Sequence, residues 1–306
     1  MTEEKTLRGI VVRSQSGFFT LDTDEGEVVA RLRGRLKQGK KTGDLIAVGD
    51  WVQVSLQEDG TAMIEEIEER KSKFSRLAPT ARGEYEQIII ANLDQAVLVF
   101  SCDSPEPNFR MLDRFLIIME ERYIPVTIIA NKMDLVGRRQ ARKLFGHYAE
   151  LGYHVIYTSA IKRRGVHKLR KLLAGKLSVL VGPSGVGKSS LLNAVQPELG
   201  LSVSEVSGAT GKGRHTTVVR EMFPLEKGGY VADTPGLKAL ALWDIEPEEL
   251  DGYFLEIAER VADCQFSSCT HTEEPGCAVI EAVKAGDIHF ERYESYLRIR
   301  YEDEFK

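Results

Sequence analysis

Residues 182–189 read Gly-Pro-Ser-Gly-Val-Gly-Lys-Ser, a complete G-x-x-x-x-G-K-S phosphate loop. An apolar run at 177–181 precedes it and predicts a buried strand, and a helical pattern at 190–195 follows it. That strand–loop–helix context is what the motif requires. The glycines let the backbone curl until successive N–H groups face one phosphate, beside the positive end of the helix. Lys188 would then reach the β- and γ-phosphates, and the Ser189 hydroxyl would bind Mg²⁺. A plain glycine-rich turn ahead of a helix shares the glycines but does not require the Lys-Ser ending.

Around this loop, apolar strands alternate with amphipathic helices, the pattern of a largely parallel sheet. Strands are predicted at 96–101, 124–130 and 155–157, and helices at 108–122, 138–151 and 165–173. Three motifs fall at strand ends. Asn131-Lys132-Met133-Asp134 follows the second strand and suits guanine. The Asp134 carboxylate can accept from both N1–H and the exocyclic amine, a donor pair that adenine lacks. The Lys132 stem can lie over the base, and Asn131 would tie the loop together. Leaving such a paired contact unmade is costly, so selection against ATP should be large. Thr158-Ser159-Ala160 could bring a backbone N–H to guanine O6. Asp233-Thr234-Pro235-Gly236 follows an apolar run at 230–232 and supplies Asp233 on the Mg²⁺ side and a Gly236 N–H for the γ-phosphate.

The order of these motifs is unusual. Guanine-reading elements at 131–134 and 158–160 precede the phosphate loop, and the D-T-P-G element comes last. This is a circular permutation, tolerated where the termini of the parent domain lie close together. Between phosphate loop and D-T-P-G lies 202–217, rich in Ser, Gly, Lys and Thr, expected to order on the γ-phosphate. Thr217, ahead of Thr216, is the expected Mg²⁺ ligand from it. The residue after Gly236 is Leu237, which cannot orient water. His215 is the candidate to position or deprotonate it.

The N-terminal segment reads differently. Short strands rich in Val, Ile, Phe and Trp are predicted at 7–13, 17–22, 27–33, 51–55 and 62–67. They suggest a small barrel, with an OB-fold as the leading case and an SH3-like barrel as the alternative. Residues 31–41 carry six basic side chains and no acid, which suits a phosphate backbone. Residues 70–87 are polar and read as a linker.

From Asp244 onward there are 17 acidic and 6 basic residues, against a net charge of −5 for the whole chain of 306. The rest is therefore net basic, and could meet a polyanion through one face. Helices are predicted at 248–262, 278–284 and 290–305. Between the first two stand Cys264, Cys269, His271 and Cys277, spaced C-x₄-C-x-H-x₅-C. Three thiolates and an imidazole fit a closed tetrahedral Zn²⁺ site, structural because it keeps no open position. Cys102, after an apolar strand, reads as a core cysteine. Four cysteines without an extracellular framework, an acidic polar N-terminus and no long apolar stretch point to a cytoplasmic protein with no membrane span.

Taken together, Val48-Gly49-Asp50-Trp51-Val52, the permuted motif order, Gly213-Arg214-His215-Thr216-Thr217 and the metal cluster resemble one family. This is the circularly permuted, ribosome small subunit-dependent GTPase A family (RsgA/YjeQ), and the resemblance covers nearly the whole chain. It implies an OB-fold, a permuted GTPase domain and a C-terminal zinc domain. It also implies slow GTP hydrolysis stimulated by the 30S ribosomal subunit, with binding to 16S rRNA during late subunit maturation.

The expected organisation is therefore multidomain α/β: an OB-fold RNA-binding barrel at 1–70, a circularly permuted GTPase domain at 71–243 and a zinc-binding helical domain at 244–306, acting as a monomer. The expected GTP- and GDP-binding set is Asn131, Lys132, Met133, Asp134, Ser159, Ala160, Gly182, Pro183, Ser184, Gly185, Val186, Gly187, Lys188, Ser189, Ser190 and Gly236. The expected Mg²⁺ set is Ser189, Thr217 and Asp233, the catalytic pair His215 and Lys188, and the zinc set Cys264, Cys269, His271 and Cys277. A nucleotide-gated RNA-binding assembly factor with incidental hydrolysis is the competing reading. An ATPase or small-molecule kinase is a third, opposed by Asp134.

Overall fold

The computed structural model of the protein describes residues 6–37, 44–57, 61–80, 83–201, 220–233 and 245–301. Five strands come first: β1 (Thr6–Gln15), β2 (Phe18–Thr23), β3 (Gly26–Leu32), β4 (Trp51–Leu56) and β5 (Ala62–Ile67). Next come β6 (Lys73–Thr80) and β7 (Gly83–Ala91), then β8 (Gln95–Ser101), α1 (Phe109–Glu121), β9 (Val126–Asn131), α2 (Met133–Val136), α3 (Arg138–Glu150) and β10 (His154–Tyr157). After these follow α4 (Val166–Leu173), β11 (Lys176–Val181), α5 (Lys188–Val195), β12 (Arg220–Pro224) and β13 (Gly229–Asp233). The chain closes with a 3₁₀ turn (Pro247–Tyr253), α6 (Leu255–Val261), α7 (Ala278–Ala285) and α8 (Phe290–Tyr301). Among the described residues no helix is long and apolar enough to cross a membrane.

Two compact units result. One comprises Met1–Val97, His167–Val181 and Leu192–Leu240, and the other Leu98–Val166, Gly182–Leu191 and Ala241–Lys306. In the first, β1 pairs with β2 and β4, β2 with β3, and β4 with β5, all antiparallel, while β3 runs parallel to β5. That circuit closes a five-stranded barrel in the OB-fold arrangement. Alternation explains it: Val52, Val54, Ala62, Ile64 and Leu21 point inward and are buried. The Val-Gly-Asp-Trp stretch also gains a physical reason. Gly49 has φ +92, and a Cβ there would lie 2.1 Å from the Ala91 carbonyl oxygen. Asp50 is fully buried and takes Arg70 on both oxygens at 2.7 Å.

Of the basic residues at 31–41, three are already engaged. Arg33 and Arg35 both reach Glu65, at 2.7 and 3.0 Å, and the Arg31 guanidinium lies 4.3 Å from the Phe18 ring centre. β12 pairs with β1 and β13, and β13 runs parallel to β11 with Asp233 opposite Leu180.

Two expectations need correction, and one strand lies where none was expected. Residues 70–87 do not form a linker: β6 and β7 make a two-stranded antiparallel sheet from Lys73↔Ala91 to Thr80↔Gly83. β12 is an additional strand. The helix expected at 248–262 is split, because Phe254 is extended (φ −96°, ψ 99°) and fully buried.

In the second unit, β9 and β10 are parallel with Ala130 opposite Tyr157. α1 and α3 cover this part of the sheet with Leu112, Phe115, Leu116, Ala141 and Phe145. The C-terminal helices join α1 and α3 through Arg292, which is 1% exposed. Its guanidinium pairs with Asp113 of α1 and with Glu256 of α6 at 2.7 Å, and Tyr148 of α3 donates to Asp113 at 2.7 Å. Removing one partner of so buried a cluster leaves uncompensated charge, a cost of about 3–5 kcal/mol.

Candidate functional site

The phosphate loop follows β11 and leads into α5, so Lys188 and Ser189 occupy the first turn of that helix. Gly182 lies against β8: a Cβ there would be 2.0 Å from the Val99 carbonyl oxygen. Lys188 Nζ donates to the carbonyls of Gly182 and Pro183 at 2.8 and 2.9 Å, which folds it back over the loop. Val186 is buried, Ser184 is exposed, and Gly185, Gly187, Ser189 and Ser190 are half-buried.

Asn131 ends β9 and is 1% exposed. Its Nδ2 donates to the Val186 carbonyl at 2.8 Å, and its Oδ1 accepts from Thr158 Oγ1 at 2.9 Å. Gly187, with φ +94, passes so near that a Cβ would lie 2.6 Å from Asn131 Nδ2. Lys132 adopts φ +59, and its Nζ donates to the Gly185 carbonyl at 2.7 Å and to the Ser104 carbonyl. Met133 N–H donates to the Thr158 carbonyl at 3.0 Å. Asp134 follows in the short α2, half-buried.

The loop after β10 is a tight turn. Ser159 is fully buried and bonds reciprocally with Arg164 through the backbone at 3.0 Å, and its Oγ accepts from Lys162 N–H at 3.1 Å. Ala160 is half-buried beside it. The geometry thus brings the N-K-x-D, T-S-A and phosphate-loop segments together around Asn131. Thr158, read from sequence only as part of the T-S-A run, supplies the hydroxyl that links two of them. Cys102 is buried next to them, its N–H donating to the Asn131 carbonyl at 2.8 Å. Burial, with help from Asp134 and Asp103, pushes its thiol up to about 12. It is a neutral core group, as its position after a strand suggests.

Asp233 is the last residue of β13. His215, Thr216, Thr217, Gly236 and Leu237 lie outside the described residues.

The second cluster is Cys264, Cys269, His271 and Cys277, whose ligand atoms all lie within 4.8 Å of one another. Cys264 Sγ is 3.6 Å and Cys277 Sγ 3.4 Å from His271 Nδ1, and the two sulfurs are 3.9 Å apart. Zinc holds sulfur at about 2.3 Å and nitrogen at about 2.0–2.1 Å, so a tetrahedron has S···S edges of about 3.8 Å and S···N edges of about 3.6 Å. The donor set fits that ion. Burial pushes the Cys269 thiol up to about 12, and a soft dication is what allows such sulfurs to ionise together. The surrounding loop is stiff. Tyr293 and Tyr296 donate to the carbonyls of His271 and Thr270, at 2.7 and 3.2 Å. Glu274 accepts from the Thr270 N–H at 2.7 Å and the Thr272 N–H at 2.9 Å. Burial alone would raise its carboxyl, but these donors and the Thr270 hydroxyl hold it well below the usual range.

Fold and motif placement together define a circularly permuted phosphate-loop GTPase. Comparison with known proteins agrees. The family model described as RsgA GTPase matches residues 67–243, and that of the RsgA N-terminal domain matches 8–64. The small ribosomal subunit biogenesis GTPase RsgA of Gemmatimonas aurantiaca is 44% identical over 95% of this chain and 96% of that protein. Its counterpart from Chlorobaculum parvum is 41% identical over 96% and 97%. Among solved structures, YjeQ from Thermotoga maritima is 38% identical, with a TM-score of 0.76 over 97% of this chain and 98% of that one. YloQ, described as a circularly permuted GTPase, is 33% identical with a TM-score of 0.72 over 99% and 96%. The chain belongs to the RsgA GTPase family, and it is a GTPase.

Proposed function

We propose that the chain hydrolyses GTP to GDP in response to the small ribosomal subunit, binds 16S rRNA, and assists late maturation of that subunit in the cytoplasm as a monomer. The observation that carries the nucleotide part is the tie from Asn131 to Val186 at 2.8 Å, which fixes base-reading and phosphate-binding loops in one frame. The assembly part rests on relatives whose names describe biogenesis of the small ribosomal subunit. In this reading a barrel at 1–70 meets RNA, 71–243 is the GTPase body, and 244–306 is a helical domain stapled by one structural zinc.

The roles follow from the chemistry of each side chain. Asp134 accepts from guanine N1–H and the exocyclic amine, with Lys132 alongside the base. Met133, Ser159 and Ala160 line the base end. Gly182 and Ser184 to Ser190, with Gly236, supply backbone donors to the phosphates, and Pro183, which has no N–H, shapes the loop between them. Lys188 exchanges the carbonyls of Gly182 and Pro183 for phosphate oxygens, adding positive charge where negative charge develops. Ser189, Thr217 and Asp233 would hold Mg²⁺ through oxygen, and the ion would supply neutralisation of phosphate charge when bound. His215 orients the attacking water, a role Leu237 cannot fill.

The test is single-turnover GTP hydrolysis with no subunits, with 30S subunits and with 50S subunits, repeated for Lys188→Ala and His215→Ala. Stimulation by 30S alone is expected. It should be lost in both variants, with His215→Ala retaining GTP affinity and subunit binding. Equal rates with and without 30S subunits would refute the ribosomal reading and leave a nucleotide-gated assembly factor. A His215→Ala chain that binds subunits and hydrolyses at the wild-type rate would transfer water positioning to another group.

A further inference from the structure

His271 presents its two ring nitrogens to different neighbours. Nδ1 faces the sulfurs of Cys264 and Cys277 at 3.6 and 3.4 Å. Nε2 is buried and has no hydrogen-bond partner within bonding distance among the described residues. The charged group facing it is the Asp251 carboxylate, with Oδ2 at 3.5 Å. The backbone at His271 is held, with φ +59 and its carbonyl bonded by Tyr293 at 2.7 Å, and the ring is fully buried, so packing opposes the rotation of the imidazole that would present the other nitrogen. Asp251 stands in the 3₁₀ turn Pro247–Tyr253, whose start is secured by a capping box between Glu246 and Glu249.

We infer that Asp251 is a positioning residue for the metal cluster, accepting the Nε2–H of His271 and so fixing which nitrogen ligates. A neutral imidazole carries one proton, so ligation through Nδ1 places that proton on Nε2. A buried N–H requires an acceptor, and Asp251 is the one at hand. The present 3.5 Å is longer than a formed bond, and the two groups close on one another in the ligated tautomer. Asp251 in this way links the metal to the 3₁₀ turn before α6, a segment that contributes no ligand of its own.

This inference rests on the zinc reading of the cluster, and the experiment separates the two. The full chain, loaded with one equivalent of Zn²⁺, is titrated with a chromophoric chelator. Asp251→Ala should hold zinc about 10–100-fold more weakly than wild type. Asp251→Asn, still an acceptor but neutral, should fall between. Glu249→Ala, which loosens the same turn through its cap, should stay near wild type, so general loosening cannot mimic the effect. ¹⁵N-histidine spectra should show His271 metallated at Nδ1 with a slowly exchanging Nε2–H, and faster exchange in Asp251→Asn. A wild-type chain that retains no zinc overturns the metal reading and this inference with it. Zinc affinity within about twofold of wild type in Asp251→Asn, with unchanged exchange, or metal found on Nε2, overturns the inference alone.

Discussion

The side-chain amide of Asn131 donates to the Val186 carbonyl at 2.8 Å, across 55 residues of sequence. The same amide accepts from Thr158 at 2.9 Å, so a single buried side chain uses both its donor and its acceptor to join three loops. A carboxylate could not do this, because it has no donor for Val186. In the permuted chain the loops lie in an altered order, but the spatial tie is indifferent to order. The Cβ that Gly187 lacks would lie 2.6 Å from the same amide nitrogen, so the second motif glycine is required by packing as well as by its φ of +94.

Asn131→Ala should therefore lower GTP and GDP affinity together. Losing the bonds and leaving buried groups unpaired costs about 1–3 kcal/mol, or about 5–150-fold in affinity. Calorimetric titration with each nucleotide checks it. A loss confined to GTP would mean that Asn131 acts on the γ-phosphate rather than on the shared frame.

Asp134→Asn should weaken GTP binding and improve binding of xanthosine triphosphate. An amide cannot accept from both guanine donors, and a two-bond base contact is worth about 1–3 kcal/mol of discrimination. Competition of both nucleotides for a fluorescent analogue measures the shift. Unaltered preference would remove Asp134 from the base-reading role.

How much of this was legible in the sequence depends on how local each signal is. The barrel strands announce themselves by alternation, as Val52, Val54 and Ile64 do. The phosphate loop and N-K-x-D carry their chemistry in a few adjacent residues. The hairpin β6–β7 does not. It runs through Lys73, Ser75, Glu84 and Glu86, and these polar stretches pair with partners 18 to 3 residues away, from Lys73↔Ala91 to Thr80↔Gly83, with only the Ile88–Ile90 run apolar enough to signal a strand. The break at Phe254 is likewise a tertiary effect. Its ring packs 5.5 Å from Tyr296 and 4.5 Å below the Arg292 guanidinium, which pulls the backbone out of the helix. Asp251 gave no signal at all, since nothing in its neighbours in sequence points to His271.

Tyr123→Gly should stabilise the chain. α1 ends in a double bond pattern in which Tyr123 N–H reaches the Glu120 carbonyl and Ile124 N–H the Met119 carbonyl, at 3.0 and 2.9 Å. Tyr123 thus occupies the left-handed position after the cap that glycine favours, at φ +52, with its side chain 94% exposed. Relieving the backbone strain gains about 1–2 kcal/mol, and the extra freedom of glycine when unfolded offsets about 0.5–1 of it. Urea unfolding should show a net gain of about 0.5–1 kcal/mol for glycine and little change for Tyr123→Ala. A loss in the glycine variant would mean the tyrosine ring makes a contact worth more than the strain.

His147 gives the second unit a dependence on pH whose sign can be worked out. Its ring in α3 stacks on His289, just before α8, with centroids 4.5 Å apart and planes 13° from parallel. Burial first, then His289 and Arg292, hold its pKa down to about 4. In the unfolded chain the imidazole titrates near 6.5. Above that pH both states are neutral there, and the contribution to stability is complete. As pH falls from about 6.5 towards 4, the unfolded state takes up a proton that the folded state refuses, so stability declines. His147→Phe keeps an aromatic ring against His289 and removes the titration. Urea midpoints at pH 7.5 and pH 5, with zinc buffered alike in both proteins, provide the comparison. Wild type should lose more stability between those two pH values than the variant, because any acid effect at the Cys264–Cys277 cluster is common to both and cancels. Parallel losses in the two proteins would show that the stacked pair does not govern the acid limb.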